Sequence, residues 1–217
     1  MRYKAVIFDL DGTLLSTLAD LTGSVNIALE QNGLNAVTEE NVRSFIGNGS
    51  LKLIERAILY TGGDISDVDK VHGDYKKAYL EHCLDNTVPY PGIPELLKFL
   101  RDGGIKVAVN TNKPHDPALK VLDHCLPGLI DTVAAQSSTI PRKPDPTGVF
   151  TIIDRLGLNI SECCYVGDSD VDIKTARNAG IDIFSVDWGF REHLFLENSG
   201  ADVICSDADD LRAALVV

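Results

Sequence analysis

The chain has 217 residues, 44% hydrophobic and 24% charged, so it is long enough to bury a core and is not of a disordered or collagen-like class. Its 20 basic and 32 acidic residues give a formal net charge of −12. That charge disfavours binding to nucleic-acid phosphates and to anionic membrane surfaces. The apolar runs are strand-sized, well short of the ~18 residues of a membrane span. The N-terminus has no signal-peptide pattern, so we expect a cytoplasmic protein that is not exported.

The cysteines do not indicate a disulfide framework or a zinc site. Their number is odd, two of them are adjacent, and no CxxC spacing occurs. We expect reduced thiols that are mostly buried. The five are Cys83, Cys125, Cys163, Cys164 and Cys205.

The first predicted element is a buried strand from Lys4 to Phe8, which ends in the acidic turn Asp9–Thr13. Apolar residues then recur at helical spacing, beginning with Leu18, Leu21 and Val25, and this pattern persists in several helices to about residue 84. We therefore expect an all-helical block over residues 15–84.

Beyond residue 84, predicted strands and helices alternate. The predicted helices cover 93–100, 146–156, 172–179 and 209–215. The predicted strands cover 105–109, 129–134, 163–166, 181–186 and 202–205. Alternation of this kind is typical of a parallel sheet. The sequence thus predicts an α/β fold, a doubly wound (Rossmann-like) parallel sheet core formed by 1–14 and 85–217, with an inserted all-helical cap domain at 15–84.

Polar residues follow three of the predicted strands at the point where each ends. Asp9 and Asp11 follow the first strand, Thr111 follows the second, and Asp168 begins an acidic run after a third. Ligands bind at the carboxyl ends of the strands in such sheets. Clustered carboxylates repel one another unless a cation compensates them, and Mg²⁺ prefers carboxylate and phosphate oxygens. With Lys143 nearby in a proline-rich loop, these residues indicate phosphoryl transfer.

These segments resemble, in order, the four motifs of the haloacid dehalogenase-like (HAD) superfamily of phosphohydrolases. The matching segments are Asp9–Leu14, Thr111–Lys113, Lys143 in its Arg-Lys-Pro context, and Gly167–Asp172. Together they span almost the whole chain.

The resemblance implies a phosphatase in which Asp9 is the nucleophile. Asp11 would be the general acid for the leaving oxygen and then the base that activates water. Mg²⁺ would be held by the Asp9 side chain, the Asp11 backbone carbonyl and Asp168.

The remaining motif residues would hold and neutralise the phosphoryl group. The resemblance implies that Thr111 and Asn112 bind it and that Lys143 balances its charge. Asp172 would be a supporting carboxylate, although at this position it also suits the cap of a helix. Ser16 stands where many relatives have an acid, at the entry to the helical block.

Within the helical block, Asn41–Gly49 resembles the cap segment of phosphoglycolate phosphatases. Arg43 suits a substrate carboxylate because its guanidinium can bind one bidentately, but a surface ion pair is an equal alternative. Asn48 is a second candidate substrate ligand and also an ordinary turn residue.

The sequence therefore predicts a Mg²⁺-dependent phosphomonoester hydrolase with an aspartyl-phosphate intermediate. It would act on a small phosphorylated metabolite, and the preferred substrate would be 2-phosphoglycolate. The alternatives are the same chemistry on pyrophosphate, a nucleotide or a sugar phosphate, or a phosphate-binding protein without turnover. No nucleic-acid or membrane partner is expected. The oligomeric state stays open.

Overall fold

The computed structural model of the protein describes residues 2–216. The chain forms two compact units: Met1–Ser16 with Pro89–Val217, here called the core unit, and Thr17–Val88, here called the helical unit. The sequence analysis set the boundaries at 14/15 and 84/85. The assignment of these units as catalytic core and cap stays a prediction.

The core unit contains a six-stranded parallel sheet in the order β5-β4-β1-β6-β7-β8. Its strands are β1 (Ala5–Phe8), β4 (Lys106–Pro114), β5 (Thr132–Gln136), β6 (Cys163–Gly167), β7 (Asp182–Val186) and β8 (Ile204–Cys205). Two short strands, β2 (Leu15–Ser16) and β3 (Val88–Pro89), form a separate sheet. Strand β1 pairs with β4 on one side and β6 on the other, and every one of its residues is buried.

The helical unit consists of α1 (Leu18–Gln31), α2 (Glu39–Phe45), α3 (Ser50–Tyr60) and α4 (Val68–His82), with a 3₁₀ turn at Ile65–Asp67. Thr38 caps the start of helix α2, because its side chain accepts a hydrogen bond from the backbone N–H of Asn41. The buried residues of α1 include Leu21, Val25 and Ala28, as the helical spacing predicts.

Helices flank the sheet of the core unit: α5 (Ile93–Asp102), α6 (His115–Cys125), α7 (Thr147–Leu156), α8 (Asp170–Ala179), α9 (His193–Asn198) and α10 (Ala208–Val216). Helix α7 ends at Gly157 and α8 ends at Gly180, and both glycines have left-handed backbone conformations that suit a C-terminal cap. Ile7 of β1 and Tyr165 of β6 belong to one buried apolar cluster with Val149 and Ile152 of α7.

The predicted parallel α/β fold is confirmed, but two helices were missed. Helix α6 was not predicted, although Ala118, Val121 and Leu122 have helical spacing and are buried. Helix α9 is short and buries only Leu196, so it has almost no periodic signal. Strand β4 extends beyond its predicted end at Val109, to Pro114. Four cysteines are buried and Cys125 is half-buried, all with free thiols. Among residues 2–216, no helix has the length and apolar character needed to cross a membrane.

Candidate active site

The candidate site lies at the carboxyl ends of three adjacent strands. Asp9 directly follows β1, Thr111 lies near the end of β4, and Asp168 directly follows β6. Because these strands are parallel neighbours, their ends meet at one edge of the sheet. Lys143 enters from the loop between β5 and α7, and Asp172 from the first turn of α8. The sequence-predicted residues of the core unit are thus brought together.

Lys143 is at the centre of the cluster. Its ammonium group lies 2.7 Å from Asp9 Oδ1 and 2.7 Å from Asp172 Oδ1, and the residue is buried. Burial acts to lower the pKa of Lys143, but the charges of Asp172 and Asp9 outweigh it and hold that pKa well above its usual value. Lys143 therefore stays charged at neutral pH.

Three carboxylates lie together here, and two of them, those of Asp9 and Asp172, contact the lysine. One carboxylate oxygen from each of Asp9, Asp168 and Asp172 lies within 4.8 Å of the others. Burial, together with the charges of Asp172 and Asp168, raises the pKa of Asp9 well above its ordinary value, and Lys143 opposes the rise. Burial, with the charge of Asp172, raises the pKa of Asp168 to about 7. Three ionised carboxylates are therefore unfavourable here without a further cation.

The donor set fits a divalent metal ion. Lys143 neutralises part of the charge of Asp9 and Asp172, whereas Asp168 accepts hydrogen bonds only from neutral groups, Thr13 Oγ1 at 3.1 Å and the Phe190 N–H at 2.7 Å. No basic side chain in residues 2–216 lies within ion-pair distance of Asp168. Hard oxygen donors with excess negative charge are what Mg²⁺ or a similar cation requires.

A loop after β7 also shapes this centre, and sequence reasoning missed it. Trp188 lies in this loop, and its indole N–H donates to the backbone oxygen of Thr13 at 3.1 Å. Gly189 approaches so closely that a Cβ there would lie 2.5 Å from Asp168 Oδ2 and would also meet the backbone oxygen of Gly12. The position of Trp188–Phe190 close to the carboxyl end of the parallel strand β7 was the signal that could have identified this loop.

Asn112 contacts the loop of Lys143. Its Oδ1 accepts from the backbone N–H of Lys143 at 2.7 Å, and its Nδ2 donates to the Lys143 carbonyl at 3.4 Å. Thr111 is buried, and its hydroxyl oxygen accepts from the Lys113 N–H at 3.1 Å. Asn112 therefore positions Lys143, and the predicted contact of both residues with a phosphoryl group stays a prediction.

Asp11 has a partner that the sequence did not indicate. Its Oδ1 lies 2.6 Å from the ammonium group of Lys113, whose side chain is 3% exposed. Lys113 is the last residue of the motif-like segment Thr111–Lys113. The two residues are 102 positions apart, and no local pattern relates them.

The other two predicted ligands belong to the helical unit. Arg43 is an exposed residue in the last turn of α2. Asn48 lies between α2 and α3, and its Oδ1 accepts from Arg56 Nη2 at 2.8 Å. This contact agrees with a structural role in the turn, and the predicted substrate contacts of Arg43 and Asn48 stay predictions.

The fold and the site together define a protein with a parallel α/β core and an acidic centre that contains a buried lysine. The chain belongs to the haloacid dehalogenase-like hydrolase family, whose model matches residues 6–186. This confirms the resemblance inferred from the four motifs.

Similar proteins narrow the class to phosphatases. The chain is 34% identical over 211 residues to phosphoglycolate phosphatase of Mesorhizobium japonicum, covering 94% of this chain and 91% of that one. It is 34% identical over 216 residues to phosphoglycolate phosphatase of Pseudomonas syringae pv. tomato, and the match covers 96% of this chain and 77% of that one. A crystal structure of a predicted phosphoglycolate phosphatase from Haemophilus somnus is 28% identical, with a TM-score of 0.92 and 99% of both chains covered. The predicted enzyme class, a phosphatase, is confirmed.

Proposed function

We propose that the protein is a Mg²⁺-dependent phosphomonoester hydrolase that forms an aspartyl-phosphate intermediate and that its preferred substrate is 2-phosphoglycolate. The observation that carries the chemistry is the cluster of Asp9, Asp168 and Asp172, in which Asp9 and Asp172 contact the buried ammonium group of Lys143. The substrate is supported by relatives named phosphoglycolate phosphatase that match nearly the whole chain.

In the first half of the proposed reaction, a carboxylate oxygen of Asp9 attacks phosphorus and the bond to the ester oxygen breaks. Asp11 delivers a proton to that leaving oxygen. The carboxylates of Asp9 and Asp168 and the backbone carbonyl of Asp11 would hold Mg²⁺, which would supply Lewis-acid stabilisation of the phosphoryl oxygens.

In the second half, Asp11 takes a proton from water, which attacks phosphorus and releases phosphate and the Asp9 carboxylate. Thr111 and Asn112 hold the phosphoryl group through both halves. Lys143 offsets its negative charge, and Asp172 keeps Lys143 in place. Arg43 and Asn48 remain proposed contacts for the rest of the substrate. A cytoplasmic location and the lack of a nucleic-acid partner are part of the same proposal.

The test is phosphate release from 2-phosphoglycolate, pyrophosphate, a nucleotide and sugar phosphates, with Mg²⁺ and with EDTA. We expect 2-phosphoglycolate to have the highest kcat/KM, EDTA to abolish release, and Asp9→Asn to remove turnover while the fold is kept. A higher kcat/KM for another ester would refute the substrate assignment and leave the chemistry standing. No release from any ester by the wild-type protein with Mg²⁺ would refute the hydrolase proposal.

A further inference from the structure

A second buried ammonium group lies beside the reacting centre. Among the lysines and arginines of residues 2–216, only Lys143 and Lys113 are buried. Lys143 contacts Asp9 and Asp172, on the side of the phosphoryl group in the proposed reaction. Lys113 instead contacts Asp11, at 2.6 Å.

The contact with Asp11 puts Lys113 on the side of the leaving group. A general acid lies ~2.6–3.2 Å from the oxygen that it protonates. Lys113 occupies Oδ1 of Asp11, which leaves Oδ2 for the leaving oxygen. The ammonium group is therefore separated from the leaving oxygen by the width of one carboxyl group.

We propose that Lys113 is a specificity-determining residue that binds a carboxylate on the carbon next to the ester oxygen. The inference rests on the proposed function and deepens it, because it names the substrate class: phosphate esters of 2-hydroxy acids. In 2-phosphoglycolate one methylene group separates the ester oxygen from the carboxylate. The carboxylate of that substrate therefore lies within reach of Lys113, because Lys113 contacts Asp11, the general acid for the ester oxygen.

Lys113 can serve Asp11 and a substrate carboxylate together. An ammonium group has three donors, and Lys143 in the same unit already contacts two carboxylate oxygens at 2.7 Å each. Because Lys113 is buried, its attraction for an anion is less screened by water than that of a surface lysine. In a chain with a net charge of −12, a dedicated cation is needed to hold the second negative group of such a substrate.

The experiment compares kcat/KM for 2-phosphoglycolate with that for its neutral analogue 2-phosphoglycolamide. The variants are Lys113→Met, Lys113→Arg and the control Lys106→Met. Lys106 is an exposed lysine at the opposite end of the same strand, paired with Asp131 at 3.1 Å. A charge-assisted hydrogen bond is worth a preference of roughly 10- to 100-fold for the carboxylate substrate.

We expect the wild type and Lys106→Met to show this preference. Lys113→Met loses it, chiefly through a higher KM for 2-phosphoglycolate, and Lys113→Arg regains part of it. Equal losses on both substrates in Lys113→Met, with the preference kept, would overturn the inference by showing that Lys113 serves Asp11 or the fold alone.

A wild-type protein that hydrolyses both compounds equally well also overturns the inference, and this measurement needs no variant that folds. Failure of the proposed function gives a different result: the wild type then releases no phosphate from 2-phosphoglycolate with Mg²⁺ present.

Discussion

The ammonium group of Lys143 lies 2.7 Å from Oδ1 of Asp172, and Asp172 is completely buried. The other oxygen of that carboxylate, Oδ2, accepts from the hydroxyl and the backbone N–H of Ser169, which precedes α8. One carboxylate therefore caps the start of a helix and holds the central lysine of the candidate site. Both roles that the sequence suggested for Asp172 are compatible because each uses a different oxygen.

The first prediction concerns this shared carboxylate. Asp172→Asn removes a negative charge from Lys143, which keeps only Asp9 as an ionic partner. We expect kcat to fall by about 10- to 100-fold, as when a group that orients a site residue is lost. The free energy of unfolding should fall by about 1–3 kcal/mol for the lost charged hydrogen bond. The measurements are steady-state kinetics and urea unfolding.

Asp170→Asn is the matched control in the same helical turn. Asp170 pairs with the exposed Lys174 at 2.6 Å, and an exposed pair of this spacing contributes only about 0.3–0.5 kcal/mol. Its kinetics should stay at the wild-type level. If Asp172→Asn behaves like Asp170→Asn, the contact with Lys143 has no part in activity.

The second prediction concerns metal binding without turnover. A ligand that binds only the native state raises stability by about 2.7 kcal/mol at 100 times its Kd. We therefore expect Mg²⁺ to raise the melting temperature of the wild type and EDTA to reverse the rise. Asp168→Asn should lose most of this shift because it removes a carboxylate of the proposed metal site.

Asp187→Asn serves as the control, since Asp187 pairs with His193 at 2.7 Å and has no role in the proposed metal site. The rise in melting temperature that Mg²⁺ causes in this variant should equal that of the wild type. A wild type that melts at the same temperature with and without Mg²⁺ would contradict the metal assignment.

The parts of the site that the sequence predicted are those with a local signal. Asp9 follows a run of four buried residues, and Asp168 follows another strand, so a rule about parallel strands was enough to bring them together. The predicted helix ends at residues 156 and 179 are also confirmed, because the glycine that follows each of them suits the left-handed conformation found there.

The parts that it did not predict depend on contacts between distant segments. The pair Lys113–Asp11 joins residues 102 positions apart, and Trp188 reaches Thr13 across 175 positions. Periodicity describes which face of an element is buried, but not which side chains meet at the end of a sheet. The exposed Leu194 and Phe195 in α9 likewise obscured that helix, since they interrupt any regular buried face.

The third prediction concerns the close approach of the β7 loop. Gly189→Ala places a methyl group against Asp168 and the backbone oxygen of Gly12, and a backbone atom cannot move aside as the end of a flexible side chain can. We expect a loss of about 1–3 kcal/mol in the free energy of unfolding, typical of overpacking, and a weaker Mg²⁺-induced rise in melting temperature.

Gly73→Ala is the control for that substitution. Gly73 lies within α4, where an added Cβ meets nothing within 4 Å. Alanine should stabilise this helix by about 0.5–1 kcal/mol. Urea unfolding measures the change in the free energy of unfolding for both variants. A decrease for Gly189→Ala with an increase for Gly73→Ala would agree with the geometry, whereas equal changes would contradict it.

The fourth prediction is a pH dependence of stability that involves Glu162. Its Oε1 lies 2.6 Å from Lys4 Nζ and its Oε2 accepts from the Asn159 N–H at 2.8 Å. The hydrogen bond from Lys4, followed by that from the Asn159 N–H, lowers the pKa of Glu162 from 4.5 to about 2. A lowered native pKa stabilises the fold above the unfolded-state pKa of 4.5, and this contribution is lost as the pH falls towards 2.

Urea unfolding of the wild type, Glu162→Gln, Lys4→Met and the double variant measures the coupling between the two side chains. We expect a favourable coupling at neutral pH that weakens progressively once the pH falls below 4.5 and the wild-type chain gains a proton on unfolding. High salt should also weaken it, because both groups are near the surface. A coupling that is constant between neutral pH and pH 3 would mean that Glu162 stabilises the fold through packing or neutral hydrogen bonds rather than through its charge.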